Sequence, residues 1–145
     1  MGCLFLALPL AAAGPGVKAQ FVGGTVNGIA AKTNFRLDMT SEDTLLFQSG
    51  HTGFGIAWRK INTLEYGQNV SRRYAAAVLI SPLLLLSKSR KHFVTVGYLD
   101  EEGKQQAVVF RVEKGDIRSV LASLEARTGR RIEYQDNEAR KAGKG

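Results

Sequence analysis

The chain has 145 residues, a formal net charge of +7, 44% hydrophobic and 23% charged residues, and one cysteine. That length suits a single domain with its own core, and the composition excludes a disordered chain, a disulfide scaffold and a cysteine-built metal site. The positive balance selects anionic partners, either an acidic lipid surface or an anionic envelope component; nucleic acid is not expected, because Lys and Arg neither crowd one helix nor interleave with stacking aromatics.

The chain begins with an apolar stretch from Leu4 to Ala13, and Val17-Lys18-Ala19 then offers small residues where a signal peptidase cuts. The sequence therefore predicts a signal peptide over 1–19 and an exported protein, periplasmic or envelope-associated in a bacterial host. A lipid anchor on Cys3 is not expected with only Met1 and Gly2 before it, and Leu6 sits where a myristoylation motif needs Ser or Thr.

Small residues after the leader lead into Thr33 to Met39, where Phe35, Leu37 and Met39 alternate with polar neighbours as in a half-buried strand. Thr40 to Asp43 is a polar turn, Thr44 to Ser49 a second strand, and Phe54, Ile56 and Trp58 mark one face of a third. Ile61 to Tyr66 is a fourth. After an interruption the pattern resumes with Val94, Val96 and Tyr98, turns through Asp100 to Lys104, and returns with Val108, Phe110 and Val112 as an antiparallel hairpin. Asp116 is placed to N-cap a helix whose Ile117, Val120, Leu121 and Leu124 share one face, and Gly129 is placed to end it. Ile132 and Tyr134 suit a last short strand. Residues 20–134 read as one domain with an insertion at 67–91, and 135–145 as a charged flexible tail.

Strands first and one amphipathic helix last give an α+β class, with a curved antiparallel sheet or partly open barrel whose end the helix covers. The stretches FGIAWRKINTLEYGQ, KHFVTVGYLDEEGKQQAVVFRV and GDIRSVLASLEARTG resemble the bacterial pleckstrin-homology-like and GRAM-like domains over roughly residues 33 to 134. The resemblance implies a non-enzymatic binding or scaffold module. Ser41-Glu42-Asp43 lies between the first two predicted strands, where many inositide-binding members place basic residues, and it would repel a phosphate.

Nothing in the residue inventory assembles catalytic chemistry. His51 and His92 fit no metal spacing, Glu101-Glu102 belong to a solvated turn, and Gly50, Gly53 and Gly55 precede a strand rather than the helix a phosphate loop must open. No G-x-S-x-G elbow occurs. No enzymatic activity, cofactor or metal is expected. Trp58 is assigned to the core, and Arg127, Arg130 and Arg131 to the helix C-terminus, where the dipole favours cations.

The least generic segment is RRYAAAVLISPLLLLSKSRKH. A helix over Tyr74 to Leu86 would reach roughly 20 Å, short of a bilayer's hydrocarbon thickness of about 30 Å. Ser81-Pro82 divides it into two short helical pieces or one kinked helix. Leaving Leu79, Leu83, Leu84, Leu85 and Leu86 in water would forfeit on the order of 10 kcal/mol, comparable with a domain's whole net stability. They must be covered by the protein's own sheet, by a second copy or partner, or by the acyl boundary of a membrane. Arg72, Arg73, Lys88, Arg90 and Lys91 flank the segment and suit anionic headgroups. The expected role is peripheral association with an anionic membrane surface or an envelope protein, and the alternative is a homo-oligomer using the insertion as its interface. A hydrolase is a distant third.

Overall fold

The structure, a computed structural model, describes residues 16–25, 29–30, 32–50, 52–68 and 92–135. Their strands are β1 (Val17–Gly24), β2 (Asn34–Asp38), β3 (Thr44–Ser49), β4 (Thr52–Ala57), β5 (Ile61–Gly67), β6 (His92–Leu99), β7 (Gln105–Val112) and β8 (Glu133–Tyr134). One α-helix, α1 (Ile117–Thr128), and a 3-10 turn over Trp58–Lys60 complete the described elements. The strands form a curved, unclosed sheet in the order β4-β3-β2-β1-β7-β6-β5-β8, antiparallel except for the β5–β8 pair. The α+β class expected from the sequence is the class observed.

The sheet has two faces because successive side chains along a strand point in opposite directions. Phe35 and Leu37 of β2, Leu45 and Phe47 of β3, Ile61, Leu64 and Tyr66 of β5, Val94 and Val96 of β6, and Val108, Phe110 and Val112 of β7 share one buried cluster. Ile117, Val120, Leu121 and Leu124 of α1 belong to the same cluster, so the helix covers this core face with the four residues its spacing picks out. Phe47 sits at the aromatic centre, stacked on Phe54 at 4.5 Å and edge-on to Phe110 at 5.5 Å. Such pairs contribute about 0.5–1.5 kcal/mol each beyond the area they bury.

The strand absent from the sequence reading is β1. Val17, Ala19 and Phe21 alternate with Lys18 and Gln20, and the strand pairs with β2 on one side and β7 on the other. It joins the two halves of the sheet. The domain boundary expected at residue 20 falls inside this strand, and cleavage at Ala19 would remove Val17, Lys18 and Ala19, which pair with Leu37, Arg36 and Phe35. With β1 in place, Ser41-Glu42-Asp43 joins the second and third strands, and residues 25–33 connect the first two.

The hairpin between β6 and β7 forms where expected. The Asp100 N–H donates to the Lys104 carbonyl at 2.9 Å, and Gly103 takes the positive φ of 81° that the turn requires. Two helix details differ in opposite ways. Gly129 ends α1 at φ 71°, its N–H donating to the Glu125 carbonyl at 2.8 Å, as predicted. Asp116 makes no side-chain cap; the backbone carbonyl of Glu113 accepts the Ile117 N–H at 3.1 Å instead. Trp58 is buried as expected, but in the 3-10 turn that follows β4, where its indole N–H reaches the Ser41 carbonyl at 2.9 Å. Gln135, placed in the tail by the sequence reading, donates its N–H to the Tyr66 carbonyl at 3.1 Å.

Candidate functional site

The ten residues that the sequence singles out for membrane or partner contact, Arg72, Arg73, Leu79, Leu83, Leu84, Leu85, Leu86, Lys88, Arg90 and Lys91, lie outside the described residues, as do residues 69–91 of the expected insertion and His51, while Gly67, expected to open the insertion, still belongs to β5. The structure describes where their segment is rooted. Gly67 ends β5 and His92 begins β6, and Gly67 pairs with Phe93. Both roots lie on neighbouring strands at one end of the sheet.

On the outer face, opposite the core, the strand register assembles a second basic group that sequence reading missed. Lys18 of β1 lies beside Arg36 of β2, which lies beside Gln48 of β3. One step along, Asn34 of β2, Gln20 of β1 and Arg111 of β7 form a parallel row. These two rows line a groove of about 410 Å³ whose lining also includes Ser49, Gly50 and Glu113. Gln20 and Asn34 are joined side chain to side chain at 3.4 Å, and the Arg36 guanidinium donates to the Gly16 carbonyl at 3.3 Å. Arg111 is 4.0 Å from the Glu113 carboxylate. Three cations against one carboxylate make the groove net positive. An anion entering the groove meets cations that the strand register has already gathered on one face.

A polar cluster also stands at the root of the insertion. The Tyr66 hydroxyl lies 2.5 Å from His92 Nδ1, the two rings are near-parallel at 5.9 Å, and Tyr134 meets Tyr66 edge-on at 6.0 Å. Burial, with Tyr134 as a smaller cause, pushes the Tyr66 hydroxyl up to about 12. Tyr66 therefore keeps its proton at neutral pH, and its hydroxyl shares a hydrogen bond with His92 Nδ1. Burial likewise lowers the His92 pKa, aided by Lys114 and opposed by Glu113. The pair fastens β5 to β6 where the chain leaves the sheet.

Two of the three arginines at the helix end are engaged with backbone. Arg127 donates to the carbonyls of Met39 and Thr40 at 3.0 and 3.1 Å, and Arg130 to that of Ile61 at 2.7 Å. They tie α1 to the β2–β3 turn and to β5. Glu101 and Glu102 are exposed in the β6–β7 turn. That turn is organised by Asp100, whose carboxyl is held below its usual range first by the Lys104 N–H, then by the Gln106 side chain and the Glu102 N–H. Among the described residues, no group of three His, Cys, Asp or Glu could hold a metal, and no helix is long and apolar enough to cross a membrane.

No family model matches the chain, and no curated protein matches it.

Proposed function

We propose that the protein is a non-enzymatic binding domain of the pleckstrin-homology-like type that associates peripherally with an anionic membrane surface. The observation that carries this reading is the net positive outer groove, in which Lys18, Arg36 and Arg111 are brought onto one face by the register of β2, β1 and β7. Arg72, Arg73, Lys88, Arg90 and Lys91 add to the same attraction, each basic residue near an acidic surface contributing about 1 kcal/mol. The family reading is supported by a curved antiparallel sheet followed by a helix on its core side, the arrangement that the sequence resemblance implies. Export belongs to the proposal, with cleavage ahead of Val17 so that β1 stays whole; Ala11-Ala12-Ala13 supplies small residues there.

Sedimentation with vesicles tests the binding. The protein is expected to pellet with acidic vesicles at low salt, less with zwitterionic ones, and less again as salt screens the charges. Equal sedimentation with both vesicle types, or with neither, rejects the proposal. The export component is checked separately by sequencing the N-terminus of protein from its native host; a chain still beginning at Met1 rejects it.

A further inference from the structure

The cations of the outer groove are placed unevenly, and the placement points to a shape as well as a charge. Lys18 of β1 and Arg36 of β2 are registered directly opposite one another, and like charges in that position destabilise a sheet. Among the described residues, no carboxylate stands within ion-pair distance of either. The Asp38 carboxylate, the next on that side of β2, accepts the Thr40 N–H and hydroxyl at 2.9 and 2.6 Å instead. The Arg36 guanidinium gives one N–H to the Gly16 carbonyl and keeps the others for a ligand. Two unneutralised cations held about 5 Å apart by strand pairing make a seat for one anion. Arg111 stands apart from them. It is registered with Gln20, so it is the diagonal neighbour of Lys18, about 7 to 8 Å away. Between these two positive points Gln20 Nε2 donates to Asn34 Oδ1 at 3.4 Å, which leaves the Gln20 carbonyl oxygen as an acceptor and the Asn34 amide as a donor.

We propose that the groove takes a lipid headgroup of two phosphodiesters joined by a glycerol bridge, the chemistry of cardiolipin, with one phosphate between Lys18 and Arg36 and the other at Arg111. The inference rests on the reading of this groove as the membrane contact and names the lipid. Three features of the site favour this ligand. Its charge fits: Lys18, Arg36 and Arg111 against Glu113 leave two positive charges, and two phosphodiesters carry two negative ones. Its spacing fits, because three carbons and two ester oxygens between the phosphorus atoms span roughly 7 Å when extended, close to the diagonal from Lys18 to Arg111. Its polarity fits too, since the hydroxyl of the bridge reaches the Gln20 and Asn34 carboxamides, where it can donate to one and accept from the other. A single phosphate seated between Lys18 and Arg36 would leave Arg111 and the carboxamides without a role. Two separate lipids of one phosphate each could fill both points, but only by being gathered independently.

Vesicles of matched surface charge test it. The protein is titrated with vesicles holding cardiolipin in zwitterionic lipid, and with vesicles holding twice that mole fraction of phosphatidylglycerol, which has the phosphodiester and the glycerol but not the link. Affinity for the cardiolipin vesicles is expected to be at least about 5-fold higher, because the second phosphate binds as a tethered partner of the first. Arg111→Gln and Gln20→Ala are each expected to bring that ratio below about 2-fold while the melting temperature holds, since neither side chain belongs to the core cluster. Equal affinity for the two acidic vesicles, with zwitterionic ones weaker, overturns the inference and leaves the groove as a general anionic contact. Binding to neither acidic vesicle overturns the membrane reading along with it. A preference that survives in both folded variants also overturns the inference, because the selectivity then comes from the bilayer or from another part of the chain. Where a variant melts early, the parent protein is titrated with the deacylated cardiolipin headgroup and followed by amide NMR. Shifts at Lys18, Gln20, Arg36 and Arg111 are expected to saturate at lower concentration than with glycerophosphoglycerol, and equal or absent shifts there overturn the inference.

Discussion

The two faces of the sheet are built from the same strands and follow different rules. The core face is apolar from β2 through β7 and is closed by α1, whose four buried residues join a continuous cluster with the strands. The outer face changes character along its width, from the Lys18, Arg36 and Arg111 groove to a buried apolar strip made by Val22 of β1, Phe93 of β6 and Val109 of β7. A sheet that needed only one hydrophobic face for stability would alternate polar and apolar residues throughout. Here the middles of β6 and β7, Phe93 to Gly97 and Ala107 to Phe110, are buried on both sides, whereas β2 keeps Asn34 and Arg36 outward and β7 keeps Arg111 there.

The largest expected effect lies on the core face. Trp58→Ala removes an indole that is 5% exposed and hydrogen-bonded to Ser41, and should cost roughly 3 to 5 kcal/mol in denaturant unfolding. An unchanged midpoint would move Trp58 from the core to the surface. Val109→Ala sharpens the contrast between the two parts of the outer face. A covered strip predicts a loss of about 2 kcal/mol, whereas Arg36→Gln in the groove should change stability by no more than about 0.5 kcal/mol. Equal, small effects would mean that the strip is not packed.

Proton linkage offers a weaker probe of the β5–β6 root. His92 has its pKa lowered in the folded protein, so its contribution is present above the unfolded value of about 6.5 and is lost as pH falls through the lower folded value. The melting temperature should fall on acidification across that window, and His92→Gln should flatten the fall. At the other extreme, Tyr66 is raised to about 12 from 10.0, so stability should decline as pH rises through that interval, and Tyr66→Phe should remove part of the decline. Melting curves of the variants that track the parent at every pH would dismiss the pair as a pH-linked clasp.

How much of this was legible in the sequence differs between the faces for a physical reason. Core-face positions announce themselves by period: Phe35 and Leu37 at spacing two, Ile117, Val120, Leu121 and Leu124 at helical spacing. β1 carried the same signal in Val17, Ala19 and Phe21, but the small residues around them also suit a peptidase site, and the competing reading took the segment. The groove could not be read at all, because Lys18, Arg36 and Arg111 are far apart along the chain and only strand register makes them neighbours. The strip shows a further limit. Phe93, Thr95 and Val109 sit between core residues in a near-continuous apolar run, and such a run does not say what lies on its second face.

The most direct measurement compares two sets of substitutions, one on the groove and one on the insertion, in the same acidic-vesicle sedimentation assay at low salt. Lys18, Arg36 and Arg111 are replaced together by Gln in one protein, and Leu84 and Leu85 by Ser in another, with melting temperatures recorded for both. The account predicts that the Gln protein keeps its melting temperature and loses most of its binding, while the Ser protein still sediments. A Gln protein that binds as well as the parent, beside a Ser protein that melts normally yet no longer sediments, would place the contact on the leucines and contradict the account.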